Sequence, residues 1–438
     1  MSDYETNEVN GINVSRRKFL TTAGAGIAVM GAAGEFAAPL LAQTPTPPGQ
    51  SPVLPPIKLP EIEAPTERQG PPPTAAPPDK RLGFAVVGLG HLSLEEILPA
   101  FAQTKRCKPT ALVSGDPAKM KQVAQQYGIA EKNLYNYQNY DTLKDNPDVD
   151  IIYIVLPNSM HAEYTVRGAQ AGKHILCEKP MANSVKECQQ MIAACNAANK
   201  KLMIAYRIQY EPYNRQMMQM ARGRELGAIK VIEMVNGQNQ GGDLNQWRLK
   251  KSLAGGGSLP DVGIYCLNTA RFVTGEEPIE IQASQYSAPG DPRFREVEET
   301  VTWTMRFPSG IQVNAACSYG FHETRRYRVA GSDAWAEMSP AFPYRGLRLM
   351  VGRKNPTNPM MENKEERILS EKNQFALEMD HIAECVQENK KPFTPGEEGL
   401  QDIRLISLIY EAAQTGKKII IPAQTGMDLY RGLQPSMA

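Results

Sequence analysis

A short apolar run, Leu82 to Val87, leads directly into Gly88-Leu89-Gly90-His91-Leu92-Ser93 and then into a helix-like stretch from Leu94. A strand that turns through glycines into a helix leaves few architectures open. The glycines permit a tight turn, and the helix N-terminus is left facing the carboxyl end of the strand with its amides free for an anion. The pattern then repeats. Apolar runs at Thr110 to Val113, Ile151 to Leu156, His174 to Cys177 and Leu202 to Tyr206 alternate with helical stretches at Ala118 to Tyr127, Ser159 to Ala171 and Ser184 to Ala198. Strands alternating with helices predict an α/β fold with a doubly wound parallel sheet. The continuous run Ile151 to Leu156 is the kind buried on both faces.

Beyond Arg207 the rhythm changes. Val231 to Asn236, Glu280 to Tyr286, Val297 to Phe307, Ile311 to Ser318 and Arg325 to Ala330 are strand-like, and Pro308-Ser309-Gly310 is a hairpin turn signal. The second half is expected to be an α+β domain with a largely antiparallel, open-faced sheet. Helices at Asp261 to Phe272, Gln374 to Glu388 and Gly399 to Thr415 would cover one face. Four segments follow: residues 1–42, a leader; 43–80, an arm; 81–206, a Rossmann-type dinucleotide-binding domain; and 207–438, a substrate and oligomerisation domain.

The leader carries Ser15-Arg16-Arg17-Lys18-Phe19-Leu20, followed by an apolar stretch to Met30 and a cleavage end at Leu40-Leu41-Ala42. It resembles a twin-arginine signal, which implies export in the folded state to the periplasm and contact with that export machinery. No later segment is long and apolar enough to span a bilayer, so no membrane anchoring is expected after cleavage. The arm holds thirteen prolines and favours extended backbone, either as a linker or lying along a neighbouring subunit. A net charge of +1 gives no basic excess for nucleic acid. The seven cysteines are scattered and odd in number, which reads as buried thiols, and the five histidines lack metal-ligand spacing, so no metal is expected.

The end of the second strand bears on which dinucleotide binds. An acidic residue there would bond the ribose 2′-hydroxyl of NAD, but the strand ends Val113-Ser114-Gly115 with Lys119 close behind. A hydroxyl, glycine amides and a lysine suit a 2′-phosphate, so NADP is expected, with Asp116 as the dissenting residue. Asp261 and Tyr265 are four apart at a helix start and project from one face, while Lys179, in Glu178-Lys179-Pro180, arrives along a strand end. An ammonium beside a phenol favours its charged form, as proton removal from an alcohol requires. Singly, Tyr265 reads as a core aromatic and Asp261 as a helix cap; together with Lys179 they read as a reaction centre.

With these residues in place, the chain resembles the Gfo/Idh/MocA oxidoreductases, and within them the glucose–fructose branch. The markers are Val87-Gly88-Leu89-Gly90, Leu112-Val113-Ser114-Gly115, Leu156-Pro157-Asn158-Ser159, His161-Ala162-Glu163, Cys177-Glu178-Lys179-Pro180, Gln246-Trp247-Arg248, Gly255-Gly256-Gly257-Ser258, Asp261-Val262-Gly263-Ile264-Tyr265 and Pro395-Gly396-Glu397-Glu398-Gly399. The resemblance implies that Tyr265 is the acid–base residue, Lys179 the motif lysine and Asp261 its substrate-orienting neighbour. Many members carry histidine where Tyr265 stands; tyrosine matches the glucose–fructose branch. It also implies a cofactor site of Gly88, Leu89, Gly90, His91, Leu92, Ser114, Lys119, Pro157, Asn158, His161, Glu178, Lys179, Tyr206, Trp247 and Arg248, with Arg207 on the substrate side.

An enzyme exported away from cytoplasmic dinucleotide is expected to keep its NADP tightly bound. One sugar would reduce it and leave as a lactone; a second would reoxidise it and leave as an alditol. Glucose and fructose are the implied pair; the resemblance to the family implies dimers through the open sheet face, and that to the glucose–fructose branch a homotetramer. An aldose–aldose variant or a simple sugar dehydrogenase uses the same motifs. A rival from another class is an NAD-dependent glycosidase, against which Tyr265 and the Ser114/Lys119 pair count; a non-catalytic sugar sensor is opposed by the intact Lys179, Asp261 and Tyr265.

Overall fold

The computed structural model describes residues 80–435. The twin-arginine sequence, its apolar run, the cleavage end and residues 43–79 of the arm lie outside the described residues. Within them, two sheets carry the fold.

The first sheet has six parallel strands, β1 (Leu82–Val87), β2 (Cys107–Val113), β3 (Leu134–Tyr135), β4 (Ile151–Ile154), β5 (His174–Glu178) and β6 (Leu202–Ala205), in the order β3-β2-β1-β4-β5-β6. This order reverses direction between β1 and β4, and the crevice outside the carboxyl ends at that reversal is where doubly wound sheets bind ligands. All four β4 residues are buried, as a strand covered on both faces requires. The helices between strands are fixed by local signals. Asp116 accepts the Lys119 amide at 3.0 Å to open the helix Pro117–Tyr127, and Gly128 closes it at φ 65°. Ser184 and Glu187 do the equivalent for the helix Val185–Ala197.

The second sheet has nine strands, β7 (Ile229–Gly237), β8 (Glu280–Tyr286), β9 (Thr300–Arg306), β10 (Gln312–Ser318), β11 (Thr324–Gly331), β12 (Ala334–Met338), β13 (Leu349–Lys354), β14 (Glu362–Arg367) and β15 (Ile419–Ile420). Their order is β14-β13-β12-β11-β7-β10-β9-β8-β15, antiparallel throughout except for the parallel pair β7 and β10. The predicted hairpin joins β9 to β10, with Gly310 at φ 88° and its amide bonded to Phe307 O at 2.9 Å. Along β9, Val301, Trp303 and Met305 are buried while the alternate residues Thr302 and Thr304 are exposed, so one face packs inward and the other stays open. All seven cysteines are buried and none is disulfide-bonded. No helix among the described residues is long and apolar enough to cross a membrane.

The helix Gln374–Gln387 departs from expectation. Instead of covering the second sheet, it packs on the first. Asp380 accepts the Lys105 and Arg106 amides at 2.8 Å each, the Cys107 thiol points to Met379 O at 3.3 Å, and Glu378 meets Tyr153 of β4 at 3.0 Å. The parallel sheet is therefore completed by a helix from the far end of the chain.

The helix Gly396–Thr415 is tied to the helix Ile264–Thr274 through a buried charge cluster. Arg271, fully buried on the helix Ile264–Thr274, bonds Glu398 at 2.8 Å, Asp402 at 2.5 Å and Glu277 at 2.8 Å, and Arg431 bonds Glu398 at 2.5 Å. Asn268 donates to Glu398 at 2.9 Å and Asp402 at 2.8 Å. Asn268 lies one turn beyond Tyr265, so the cluster fixes the helix that presents the tyrosine.

Candidate active site

Gly88 stands at φ 94°, where a side chain would be strained, and a Cβ there would meet Val155 O at 2.3 Å. A Cβ on Gly90 would meet no protein atom within 4 Å, so the turn leaves open space over its backbone, where a pyrophosphate can approach. Ser93 replaces the usual third small residue and adds a hold of its own. Its buried hydroxyl donates to Gly88 O at 2.6 Å and ties helix to turn. The helical segment opens with one wide turn, Ser93–Ile97. Leu89 is buried in the core, so it serves the cradle through its backbone, whereas His91 is exposed and paired with Glu95 at 2.8 Å.

At the end of β2, Ser114 Oγ accepts the Asp116 amide at 3.1 Å and keeps its proton free to donate. The carboxylate of Asp116 caps the following helix. The acidic residue that disfavoured a 2′-phosphate in the sequence is thus turned onto its own backbone, and Lys119 stands exposed one turn on.

The loops after β4 and β5 form the opposite wall. Asn158 is buried and donates to Ala254 O at 2.8 Å, tying the Pro157-Asn158 turn to the segment that carries Trp247 and Arg248. His161 is 1% exposed, with Nε2 2.8 Å from Leu156 O and Nδ1 2.9 Å from Pro180 O. Burial pushes its pKa down. A neutral imidazole carries one N–H and can donate to only one of these two carbonyl oxygens at a time, so buried His161 supports the loops instead of lining the crevice, and its implied cofactor contact becomes a supporting one. Glu178 is buried likewise and accepts the Lys179 amide at 3.3 Å and the Tyr153 hydroxyl at 2.8 Å. The Lys179–Pro180 bond is cis.

At the centre, Lys179, Asp261 and Tyr265 meet. Lys179 Nζ donates to Asp261 O at 2.8 Å, lies 3.4 Å from Asp261 Oδ1, and sits 4.5 Å from the centroid of the Tyr265 ring. Burial works against its charge, but Tyr265, Asp261 and Glu178 outweigh that and raise its pKa. Asp261 Oδ2 accepts Tyr319 OH at 2.7 Å and lies 3.3 Å from Arg248 Nε. Burial would raise its pKa; Lys179, Arg248 and Tyr319 overcome this and hold it at about 2. Asp261 is therefore a permanent anion that orients its neighbours, not a proton donor. Arg248 also stacks on Trp247, 4.6 Å from the ring centroid.

The phenol oxygen of Tyr265 has a partner the sequence left in the background. Arg207 Nη2 donates to it at 3.1 Å. The same guanidinium bonds Phe342 O and Gln374, and lies over the Tyr344 ring at 4.5 Å. A guanidinium aimed at a phenol oxygen complements negative charge developing there. Lys179 thus supports the ring face and Arg207 the oxygen. Tyr206 lines the small cavity beneath Lys179 and Tyr265, with its hydroxyl buried towards Asp402. Tyr319, Tyr344 and Gln374 carry no local sequence signal. Each reaches the site from more than fifty residues beyond Asp261.

Residues 82–206 match the family model described as "Oxidoreductase family, NAD-binding Rossmann fold", and residues 219–421 match its companion, "Oxidoreductase family, C-terminal alpha/beta domain". The chain is 30% identical to a D-xylose 1-dehydrogenase [NADP(+)] of Haloarcula marismortui over 348 residues, 77% of this chain and 92% of that protein. It belongs to the Gfo/Idh/MocA oxidoreductase family. A second NADP(+)-dependent D-xylose 1-dehydrogenase, from Haloferax volcanii, is 27% identical, covering 77% of this chain and 98% of that one. Among solved structures, an aldose–aldose oxidoreductase from Caulobacter crescentus complexed with glycerol is 42% identical, with a TM-score of 0.74 over 78% of this chain and 100% of that chain. The chain is an oxidoreductase.

Proposed function

We propose that this member of the family is an NADP-dependent sugar oxidoreductase that oxidises an aldose at its anomeric carbon and returns the hydride to a second sugar without exchanging its cofactor. The observation that carries the reading is the meeting of Lys179, Asp261 and Tyr265, with Arg207 on the phenol oxygen, at the carboxyl ends of the strands beside the Gly88–Gly90 cradle.

When bound, a nicotinamide takes a hydride from an alcohol carbon and returns it to a carbonyl carbon. The chain supplies the rest. Gly88, Gly90 and the helix after them would hold the pyrophosphate, and Ser114 with Lys119 the 2′-phosphate. Asp261, fixed as an anion, orients sugar hydroxyls. The Tyr265 oxygen, as phenolate, takes the proton of the hydroxyl being oxidised, holds it as a neutral phenol, and returns it to the carbonyl oxygen being reduced, with Arg207 stabilising the phenolate before the first event and after the second.

The likeness to an aldose–aldose oxidoreductase favours an aldose as acceptor, with fructose as the second candidate. The Arg16-Arg17 sequence supports export to the periplasm, where retained cofactor replaces a soluble pool. The open face of the second sheet supports pairing of two chains, the first step of a homotetramer. Product analysis with one aldose alone, then with a second aldose or fructose added, tests the reading. Lactone and alditol in equal amounts are expected; turnover that demands added dinucleotide, or release of the aglycone from an aryl glycoside without a second sugar, contradicts it.

A further inference from the structure

Beneath Lys179 three buried groups share too few hydrogens. Tyr153 OH lies 2.8 Å from Glu178 Oε1 and 3.0 Å from Glu378 Oε1, and all three side chains are shut off from solvent. A phenol carries one hydrogen, so it can donate to only one carboxyl group. Were both carboxyls ionised, the other contact would set a bare anion against an oxygen lone pair in a dry site, which is among the costliest arrangements a protein interior offers. A second hydrogen must therefore sit on one of the two carboxyls.

The surroundings identify which. Burial raises the pKa of Glu178 as well, but Glu178 lies beside the Lys179 charge and accepts the Lys179 amide at 3.3 Å, both of which favour its anion. Glu378 has neither. Its Oε2 is buried without a hydrogen-bond partner, a state a neutral carboxyl tolerates far better than an anion. The groups facing Glu378 are Glu178 from β5, Tyr153 from β4, Arg207 from the turn after β6, and Tyr210 three residues on. Arg207 directs its guanidinium to Gln374, Tyr265 and Phe342 O instead.

We propose that Glu378 works as a neutral carboxylic acid that donates to Tyr153, so that Tyr153 donates to Glu178 and Glu178 fixes the backbone of Lys179. Glu378 is a positioning residue: it touches neither sugar nor cofactor and acts through Tyr153 and Glu178. Burial together with the Glu178 charge holds its pKa well above the usual carboxylate range, in keeping with the hydrogen count. The role rests on the oxidoreductase reading given above, but the protonation state does not.

The test is a pair of variants in the full-length chain. In Glu378→Gln the amide N–H replaces the acid proton as donor to Tyr153, so kcat stays within about twofold of the parent and the pH profile is unchanged. In Glu378→Met the donor is lost, so kcat falls about tenfold with KM nearly constant, as Lys179 loses its fixed backbone. Infrared difference spectra of parent minus Glu378→Gln at neutral pH should contain the carbonyl stretch of a protonated carboxyl group that shifts in deuterium oxide. The proposal is overturned if that band is missing, or if Glu378→Gln loses as much activity as Glu378→Met. Should Glu378→Met fail to fold, the Gln variant and the spectrum still decide. Because the spectrum needs no sugar, a wrong substrate assignment and a wrong protonation state give separate failures.

Discussion

The division of labour around Tyr265 is the point at which single residues decide the chemistry. Tyr265 has the guanidinium of Arg207 at its oxygen and the ammonium of Lys179 on its ring face, so removing only the hydroxyl isolates the proton step. Tyr265→Phe should lower kcat by about 100- to 10,000-fold while dinucleotide binding, read by fluorescence quenching, stays intact. Asp261→Asn should act differently. It leaves Lys179 and Arg248 without their shared anion, so both KM and stability are expected to suffer, the latter by about 3 kcal/mol in urea unfolding. The sequence disclosed Lys179, Asp261 and Tyr265 because helical spacing and a strand-end motif bring each to a place where function concentrates. It did not disclose Tyr319, Tyr344 or Glu378. Each acts through a contact made only when distant strands and helices pack, and in the sequence each is an ordinary tyrosine or a helical glutamate.

At the scale of elements, the helix carrying Tyr265 is held by charge. Glu398 is the common partner of Arg271 and Arg431, all three buried. Glu398→Ala leaves two guanidinium groups short of a partner in the core and should cost about 3–5 kcal/mol in urea unfolding. The helix Gln374–Gln387 carries an acid-sensitive contact of its own. His381 Nε2 accepts the Phe393 amide at 2.9 Å and so must be unprotonated, and burial, with Arg215 and Lys390 nearby, lowers its pKa from 6.5 to about 4. As pH falls below 6.5 the unfolded chain binds this proton first. The contribution of His381 is thus complete above that pH and is lost as pH falls towards 4, a change on the order of 3 kcal/mol at its limit. Urea midpoints at neutral pH and near the lower limit should differ accordingly, and His381→Gln should narrow the difference.

Alternation made the parallel strands and the β9–β10 hairpin readable, since period and burial agree there. It failed for β14, whose residues Glu362 to Glu366 are all exposed and polar, four of the five charged, as a sheet edge permits. It also failed to place the helix Gln374–Gln387. An amphipathic pattern shows that a helix has a buried face but not which of two sheets covers it, and here Asp380 and Glu378 make the choice.

At the scale of the whole molecule, the Gly88–Gly90 cradle, the centre proposed at Lys179, Asp261 and Tyr265 and the proposed twin-arginine signal would together sustain hydride transfer with a retained cofactor. Retained cofactor is the claim on which that union depends. Deleting residues 43–78 should speed dinucleotide loss on dialysis or reduce the oligomer seen by light scattering if the arm lies on a neighbouring subunit; unchanged values would make it a linker. The most direct measurement is the near-ultraviolet absorbance of the purified protein with no dinucleotide added. The account predicts that an aldose raises the band of reduced nicotinamide to one per chain and that a second sugar abolishes it. A protein that shows no band until free NADP is supplied would contradict it.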